Sequence, residues 1–309
     1  MMGNKQDAGK ASGLALTVCV FDGGWNLPLW AAQQQGFFAD HGLDIQLEYT
    51  PDSRQMIAGF LDGRYPVVLL SADNIVAYQQ NQAELPIPGE PDAVMFMGGD
   101  DGLLSLVAAP GITSMAGLSQ AIIGVDAPDT GFALVLYALL EQAGLSRDKV
   151  TIAALGSTEE RYQALLAGRC QASLLRTPYE LMAVEQGCQV LAQTADILSH
   201  YQGTVGAVRQ HWADSHPAQL AGFLAAYRVA LAWCAQEADA ATTLLQQNIA
   251  GLGPQAAMQA YARLMDPLHG LRRDLQIDRI GVAAVEDLRQ RYLATAAGQQ
   301  ARLRYLDGC

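Results

Sequence analysis

Four short turns, each where an apolar run ends and a helix opens, gather the residues of this chain whose types suit holding a small molecule. They are Asp22-Gly-Gly-Trp-Asn26, Ser71-Ala-Asp-Asn74, Asp126-Ala-Pro-Asp-Thr-Gly131 and Arg176-Thr-Pro-Tyr-Glu180. In the first, Gly23 and Gly24 allow a tight turn with close backbone approach, and Asn26 with Pro28 starts a helix. Free backbone N–H groups then lie at a helix start beside Asp22, Trp25 and Asn26, a place to hold a ligand. An ordinary βα turn with a core tryptophan reads the same way.

Single residues stay open between two roles. Trp25 is a core filler or a stacking wall for a planar ligand. Asp73 is a ligand contact or, as aspartates there more often are, a helix cap. Thr177 can cap the helix that Pro178 begins. Arg176 is the only cationic side chain of the four turns, against Asp22, Asp73, Asp126 and Asp129. A bare dianion asks for more positive charge, so a neutral, zwitterionic or amine-bearing organic ligand is expected.

The elements that position these turns alternate between strand and helix. Residues 15–21 read as a strand, and Leu43-Asp-Ile-Gln-Leu-Glu-Tyr49 alternates as a half-buried one. Strands follow at 66–70 and 93–98, with helices at 53–61 and 75–80 and a polar loop over 81–92. A second lobe opens near Pro110 and repeats the plan: strands at 121–125 and 150–155, helices at 132–143 and 158–167, then a strand at 189–193. Leu166-Ala-Gly-Arg-Cys-Gln-Ala-Ser-Leu-Leu175 echoes Leu61-Asp-Gly-Arg-Tyr-Pro-Val-Val-Leu-Leu70, a helix stop followed by a strand. The apolar run 204–208 reads as a return crossing, and helices at 217–247, 254–265 and 282–304 as a tail bracing the first lobe. The fold class is α/β: two similar lobes with mixed sheets, a ligand cleft at their strand ends and a helical tail.

Composition narrows the function classes. The chain has 309 residues, half of them apolar, 30 glycines and a net charge of −12. That charge, with no basic run, argues against a nucleic-acid partner. No apolar run reaches the roughly 18 residues of a membrane span, so the chain is not expected to be membrane-embedded. The segment 1–13 is polar and expected to fray. A cytoplasmic chain and an exported chain whose leader has been removed both fit. Five cysteines, Cys19, Cys170, Cys188, Cys234 and Cys309, show no CxxC spacing, so a disulfide framework or zinc site is not expected. His200, His211 and His216 match no zinc pattern either, and no histidine falls in the four turns. No cofactor is expected.

Pro28-Leu-Trp-Ala-Ala-Gln-Gln-Gln-Gly-Phe-Phe-Ala-Asp-His-Gly-Leu-Asp-Ile45, Ser71-Ala-Asp-Asn74, the Leu-Leu-Ala-Gly168 before a strand, and His216-Pro-Ala-Gln-Leu-Ala-Gly-Phe-Leu-Ala-Ala-Tyr-Arg228 carry a likeness. The chain resembles the solute-binding proteins of nitrate, sulfonate, taurine and thiamine-precursor ABC transporters. The resemblance spans nearly the whole chain and implies a type II periplasmic-binding-protein-like architecture, with lobe I formed by 14–105 plus 206–309 and lobe II by 106–205. It implies ligand contacts at Gly24, Trp25 and Asn26, at Ser71, Asp73 and Asn74, at Asp126, Thr130 and Gly131, and at Arg176, Thr177 and Tyr179. Asp100, Asp101 and Tyr201 lie near the inferred crossings.

The function expected from this resemblance is closure of two lobes on a small organic ligand, as the monomeric substrate-binding component of an ABC importer with permease subunits as partners. The alternative is a cytoplasmic enzyme on the same fold: decarboxylase-like, desulfinase-like or thiamine-precursor related. The desulfinases place a nucleophilic cysteine in the first turn, where this chain has Gly23, and the cysteine-rich motif of yeast-type thiamine-pyrimidine synthases is missing. A ligand-sensing module is the third and least favoured reading.

Overall fold

A computed structural model describes residues 13–82, 85, 91–293 and 303–306. Segment 1–12, most of the expected loop 81–92, the expected helix beyond residue 293 and Cys309 lie outside the described residues.

Among the described residues, ten strands form two mixed five-stranded sheets. The first holds β1 (Leu14–Val20), β2 (Leu43–Tyr49), β3 (Val67–Ser71), β4 (Ala93–Gly98) and, from far along the chain, β10 (Thr204–Arg209), in the order β2-β1-β3-β10-β4. The second holds β5 (Leu104–Ala108), β6 (Ile122–Val125), β7 (Thr151–Ala154), β8 (Ala172–Arg176) and β9 (Gln189–Gln193), in the order β7-β6-β8-β5-β9. Strand senses also correspond. β1 runs parallel to β2 and β3 while β10 runs antiparallel to β3 and β4. Likewise β6 runs parallel to β7 and β8, and β5 antiparallel to β8 and β9. The Leu-x-Gly-Arg echo in the sequence has a physical cause here. Gly63 and Gly168 both sit at positive φ, 80° and 69°, ending a helix in the left-handed conformation a side chain resists, and each delivers the chain into its sheet's middle strand.

The helices are α1 (Leu27–Gln34), α2 (Phe37–Asp40), α3 (Ser53–Leu61), α4 (Ala72–Gln79), α5 (Gly131–Gln142), α6 (Thr158–Leu166), α7 (Tyr179–Glu185), α8 (Gln210–Ser215), α9 (Pro217–Gln236), α10 (Ala238–Asn248), α11 (Pro254–Leu264) and α12 (Arg279–Tyr292). Strands β4 and β5 are buried along their whole length, whereas β2 alternates at its start. The expected single helix over 217–247 is two, α9 and α10, parting at Glu237.

Two expectations are corrected. By length and composition α9 could cross a membrane, with a mean hydropathy of 1.3. It instead packs on α1 and α2, burying Leu220, Phe223, Leu224, Tyr227 and Leu231, each stabilised by roughly 2 kcal/mol of burial. The tail also does more than brace the first lobe. α10 packs on α1, but α11 packs on α7, and α12 lies across α4 and α5, which belong to different lobes. Polar contacts fix these seats: the Ala256 N–H at the start of α11 donates to Glu185, and Arg263 pairs with the buried Glu180 at 3.4 Å.

Candidate functional site

Between the two sheets lies a cavity of about 340 Å³, within the usual range of small-molecule sites. Phe21, Asp22 and Trp25 enter it from the end of β1, and Ser71 and Asn74 from the β3–α4 turn. Asp126, Thr130, Gly131 and Phe132 come from the opposite lobe, with Arg176 at the end of β8. Of the twelve contacts the resemblance implies, Trp25, Ser71, Asn74, Asp126, Thr130, Gly131 and Arg176 line the cavity.

The other five do not line it, each for a local reason. Gly24 faces the second lobe's backbone: its N–H donates to the Thr177 carbonyl at 3.2 Å, and a Cβ there would lie 3.1 Å from that oxygen. Asn26 is fully buried and donates to the Phe21 carbonyl at 2.7 Å. It starts α1 without a side-chain capping bond, and its amide holds the turn instead. Asp73 is buried in an ion pair with Arg289 at 2.7 Å. Thr177 does not cap α7. Its hydroxyl donates to Glu180 instead, at 2.7 Å. Tyr179, 3% exposed, packs on Tyr162 with ring centroids 5.7 Å apart and is a core residue, not a ligand wall.

Arg176 forms the floor. Its Nη2 donates to Asp100 at 2.7 Å and to the Thr204 hydroxyl, and its Nε to the Gly102 carbonyl. The guanidinium lies 3.7 Å from the centre of the Trp25 ring and 5.5 Å from that of Phe132. Trp25 is therefore both things at once: a buried packing residue, and a cavity wall whose one face carries a cation. Asp100 also accepts the Gly102 N–H at 2.7 Å, and Gln202 bonds the Asp100 and Thr204 carbonyls. Asp100 and Gln202 thus tie both crossings between the sheets to the floor of the cavity.

Sequence reasoning missed several parts of the wall, among them Pro51 to Arg54, Gly156 to Thr158, and Arg161. Two of them are helix starts that a closer reading for caps would find. Asp52 accepts the Gln55 N–H at 2.8 Å, and Ser157 with Glu160 forms a reciprocal capping box. Arg161 carried no signal, because an arginine in the second turn of a helix ordinarily reads as solvated. It is 2% exposed and donates to the carbonyls of Leu174 and Gly156 and to the Thr158 hydroxyl, with no ion pair among the described residues. Burial lowers its pKa, since desolvation penalises the charged form. Three arginines, Arg54, Arg161 and Arg176, thus balance Asp22, Asp52 and Asp126 around the cavity. The expected excess of acid is an effect of counting only four turns.

Asp126 accepts the Thr130 hydroxyl at 2.7 Å. The Asp22 carboxyl has a raised pKa, chiefly through burial and secondarily through the nearby charge of Glu159. Among the described residues, no histidine or cysteine lines the cavity. Cys19, Cys170, Cys188 and Cys234 are buried free thiols, and burial pushes Cys19 and Cys234 up to about 12. At Gly23 a Cβ would sit 2.1 Å from the Trp25 ring, so the first turn has no room for a nucleophilic side chain while that ring holds its place. The arrangement is suited to holding polar groups against an aromatic wall.

Two topologically matched α/β lobes, joined by crossings and enclosing a cavity of mixed polar and aromatic lining, define the periplasmic-binding-protein fold. Solved structures share it. A Bordetella bronchiseptica RB50 protein superposes with a TM-score of 0.78 at 19% identity, covering 95% of each chain. The alkanesulfonate-binding protein SsuA of Xanthomonas axonopodis pv. citri, bound to MOPS, gives 0.74 at 14% identity over 95% of this chain and 96% of that one. The ligand-binding component of an ABC-type import system from Staphylococcus aureus, with zinc bound, gives 0.72 at 11% identity over 90% and 91%. No curated protein sequence matches. A model of the NMT1-like family matches residues 12–247, and the chain belongs to that family.

Proposed function

We propose that this protein is the substrate-binding component of an ABC importer, closing its two lobes on a small organic solute that carries an anionic group and an apolar body. One observation carries the reading: the cavity draws its walls from both lobes, so a ligand there is in contact with each and rewards their closure. The anionic group is argued from Arg161, a buried cation with only neutral acceptors, and from Arg176 beside it in the wall. Phe21, Trp25 and Phe132 supply the apolar surface. This revises the expectation of a neutral, zwitterionic or amine-bearing ligand only in requiring the anion. A zwitterion whose ammonium faces Asp22 satisfies both. The solved sulfonate-binding and ABC-import neighbours support the reading by fold.

Native mass spectrometry of freshly purified protein tests it, followed by thermal-shift screening with MOPS, simple alkanesulfonates, carboxylates and amino acids as probes. Saturation at a hundredfold excess over the dissociation constant stabilises by about 2.7 kcal/mol. An unmodified compound recovered intact, or a shift with an anionic probe, supports the proposal. Conversion of a recovered compound by the protein would transfer the reading to an enzyme.

A further inference from the structure

Asp73, one of the two residues of α4 expected to touch ligand, does something else. Asp73 lies in the first lobe, yet its Oδ2 accepts the backbone N–H of Gly131, the first residue of α5 in the second lobe, at 2.9 Å. Its Oδ1 accepts from Nη1 of Arg289 on α12 at 2.7 Å, and both side chains are under 5% exposed. Contact here is close: a Cβ on Gly131 would lie 2.4 Å from that of Asp73. Arg289 is itself held in the first lobe by two donations to Gln82. Two residues on, Arg291 donates to Glu141 at the far end of α5 at 2.7 Å, and Tyr292 donates to the same carboxylate and packs on Tyr137. α12 therefore grips α5 at its C-terminal end and, through Asp73, at its first residue. It also grips α4, where Gln80 donates to Glu286 at 2.7 Å.

We propose that Asp73 and Arg289 form an interlobe clasp, with Arg289 a positioning residue that holds the Asp73 carboxylate against Gly131 and thereby sets the cavity wall made by Thr130, Gly131 and Phe132. The physical reason lies in the pairing. A buried carboxylate is strongly disfavoured unless paired, and burial does raise the Asp73 pKa while Arg289 opposes it. The guanidinium opposes that rise and so favours the charged acceptor, which holds the helix-start N–H more strongly than a neutral one. The partner that completes the clasp lies at residue 289, beyond the 12–247 stretch matched by the family model. The clasp's bearing on ligand retention rests on the proposed binding role; its geometry does not.

The test needs no ligand. Small-angle scattering and amide exchange of 15N-labelled protein are compared for wild type, Arg289→Met, and Asp73→Asn combined with Arg289→Met. The expected result is a larger radius of gyration in both variants and exchange at Gly131 about tenfold faster, equivalent to losing about 1.4 kcal/mol at that hydrogen bond. Amides of β2, at the outer edge of the first sheet, should exchange as in wild type. Unchanged scattering and unchanged Gly131 exchange would overturn the clasp. Loosening in the single variant that the double variant fully restores would also overturn it, since an unpaired buried charge would then be the whole effect. Should the single variant not fold, the double variant alone decides. Failure to find any bound solute would count against the binding role and leave these readouts as they stand.

Discussion

Replacing Arg176 by methionine tests how the cavity floor is built. The pair with Asp100 is almost wholly buried, the two side chains being 5% and 1% exposed. Removing one partner of such a pair costs about 3–5 kcal/mol, because the other charge stays buried. Asp100 keeps the Gly102 N–H at 2.7 Å and the Thr204 N–H at 3.4 Å, which places the cost near the lower end. Loss of the stack on Trp25 adds about 0.5–2 kcal/mol. Arg176→Met should therefore destabilise by about 4 kcal/mol, and Asp100→Asn, which strands the guanidinium, by about 3 kcal/mol. If the two act through one another, the double variant should lose about 5 kcal/mol and not the additive value of about 7. Urea unfolding followed by tryptophan fluorescence measures all three, and Trp25 under the guanidinium reports locally. Additivity within about 0.5 kcal/mol would refute the claim that the pair ties the crossings to the floor.

Three further outcomes are expected. Trp25→Ala should weaken binding of the solute identified by mass spectrometry at least about tenfold, or 1.4 kcal/mol, in isothermal titration. Unchanged affinity would remove Trp25 from the wall. Asp22 has a pKa raised in the folded state, so its protonation favours folding: its contribution is full below the unfolded value of 3.8 and is lost as pH rises through the folded one. Asp22→Asn should accordingly raise the melting temperature at pH 7, with the gain vanishing as pH falls below about 4. A gain that grows on acidification would contradict the assignment. Brief treatment of the folded protein with N-ethylmaleimide should leave the peptides bearing Cys19, Cys170, Cys188 and Cys234 unmodified, since buried thiols with raised pKa hold little thiolate. Rapid labelling of Cys19 would reopen a nucleophilic role.

Much of the architecture is legible in the chain because it is written in local terms. The alternation at Leu43–Tyr49, the apolar runs at β4 and β10 and the helix stop at Gly63 and Gly168 each follow from a few neighbouring residues. The likeness of the two lobes was visible for the same reason, in a ten-residue echo. The site was legible as turns but not as contacts. Trp25, Ser71, Asn74, Asp126, Thr130, Gly131 and Arg176 line the cavity, while Tyr179 turns into the core beside Tyr162. Turn chemistry says where a helix starts, not which way the next side chain points.

Local periodicity and capping, set by interactions a few residues long, determined the elements, their order and the polar turns at the strand ends. Charge pairing was decided only in three dimensions. Asp73 meets Arg289 across 216 positions of chain, Arg176 meets Asp100 across 76, and Arg161 is stripped of solvent by a strand that follows it. A buried charge depends on whatever the fold brings within a few ångströms, and that distance is a property of tertiary packing, not of sequence spacing.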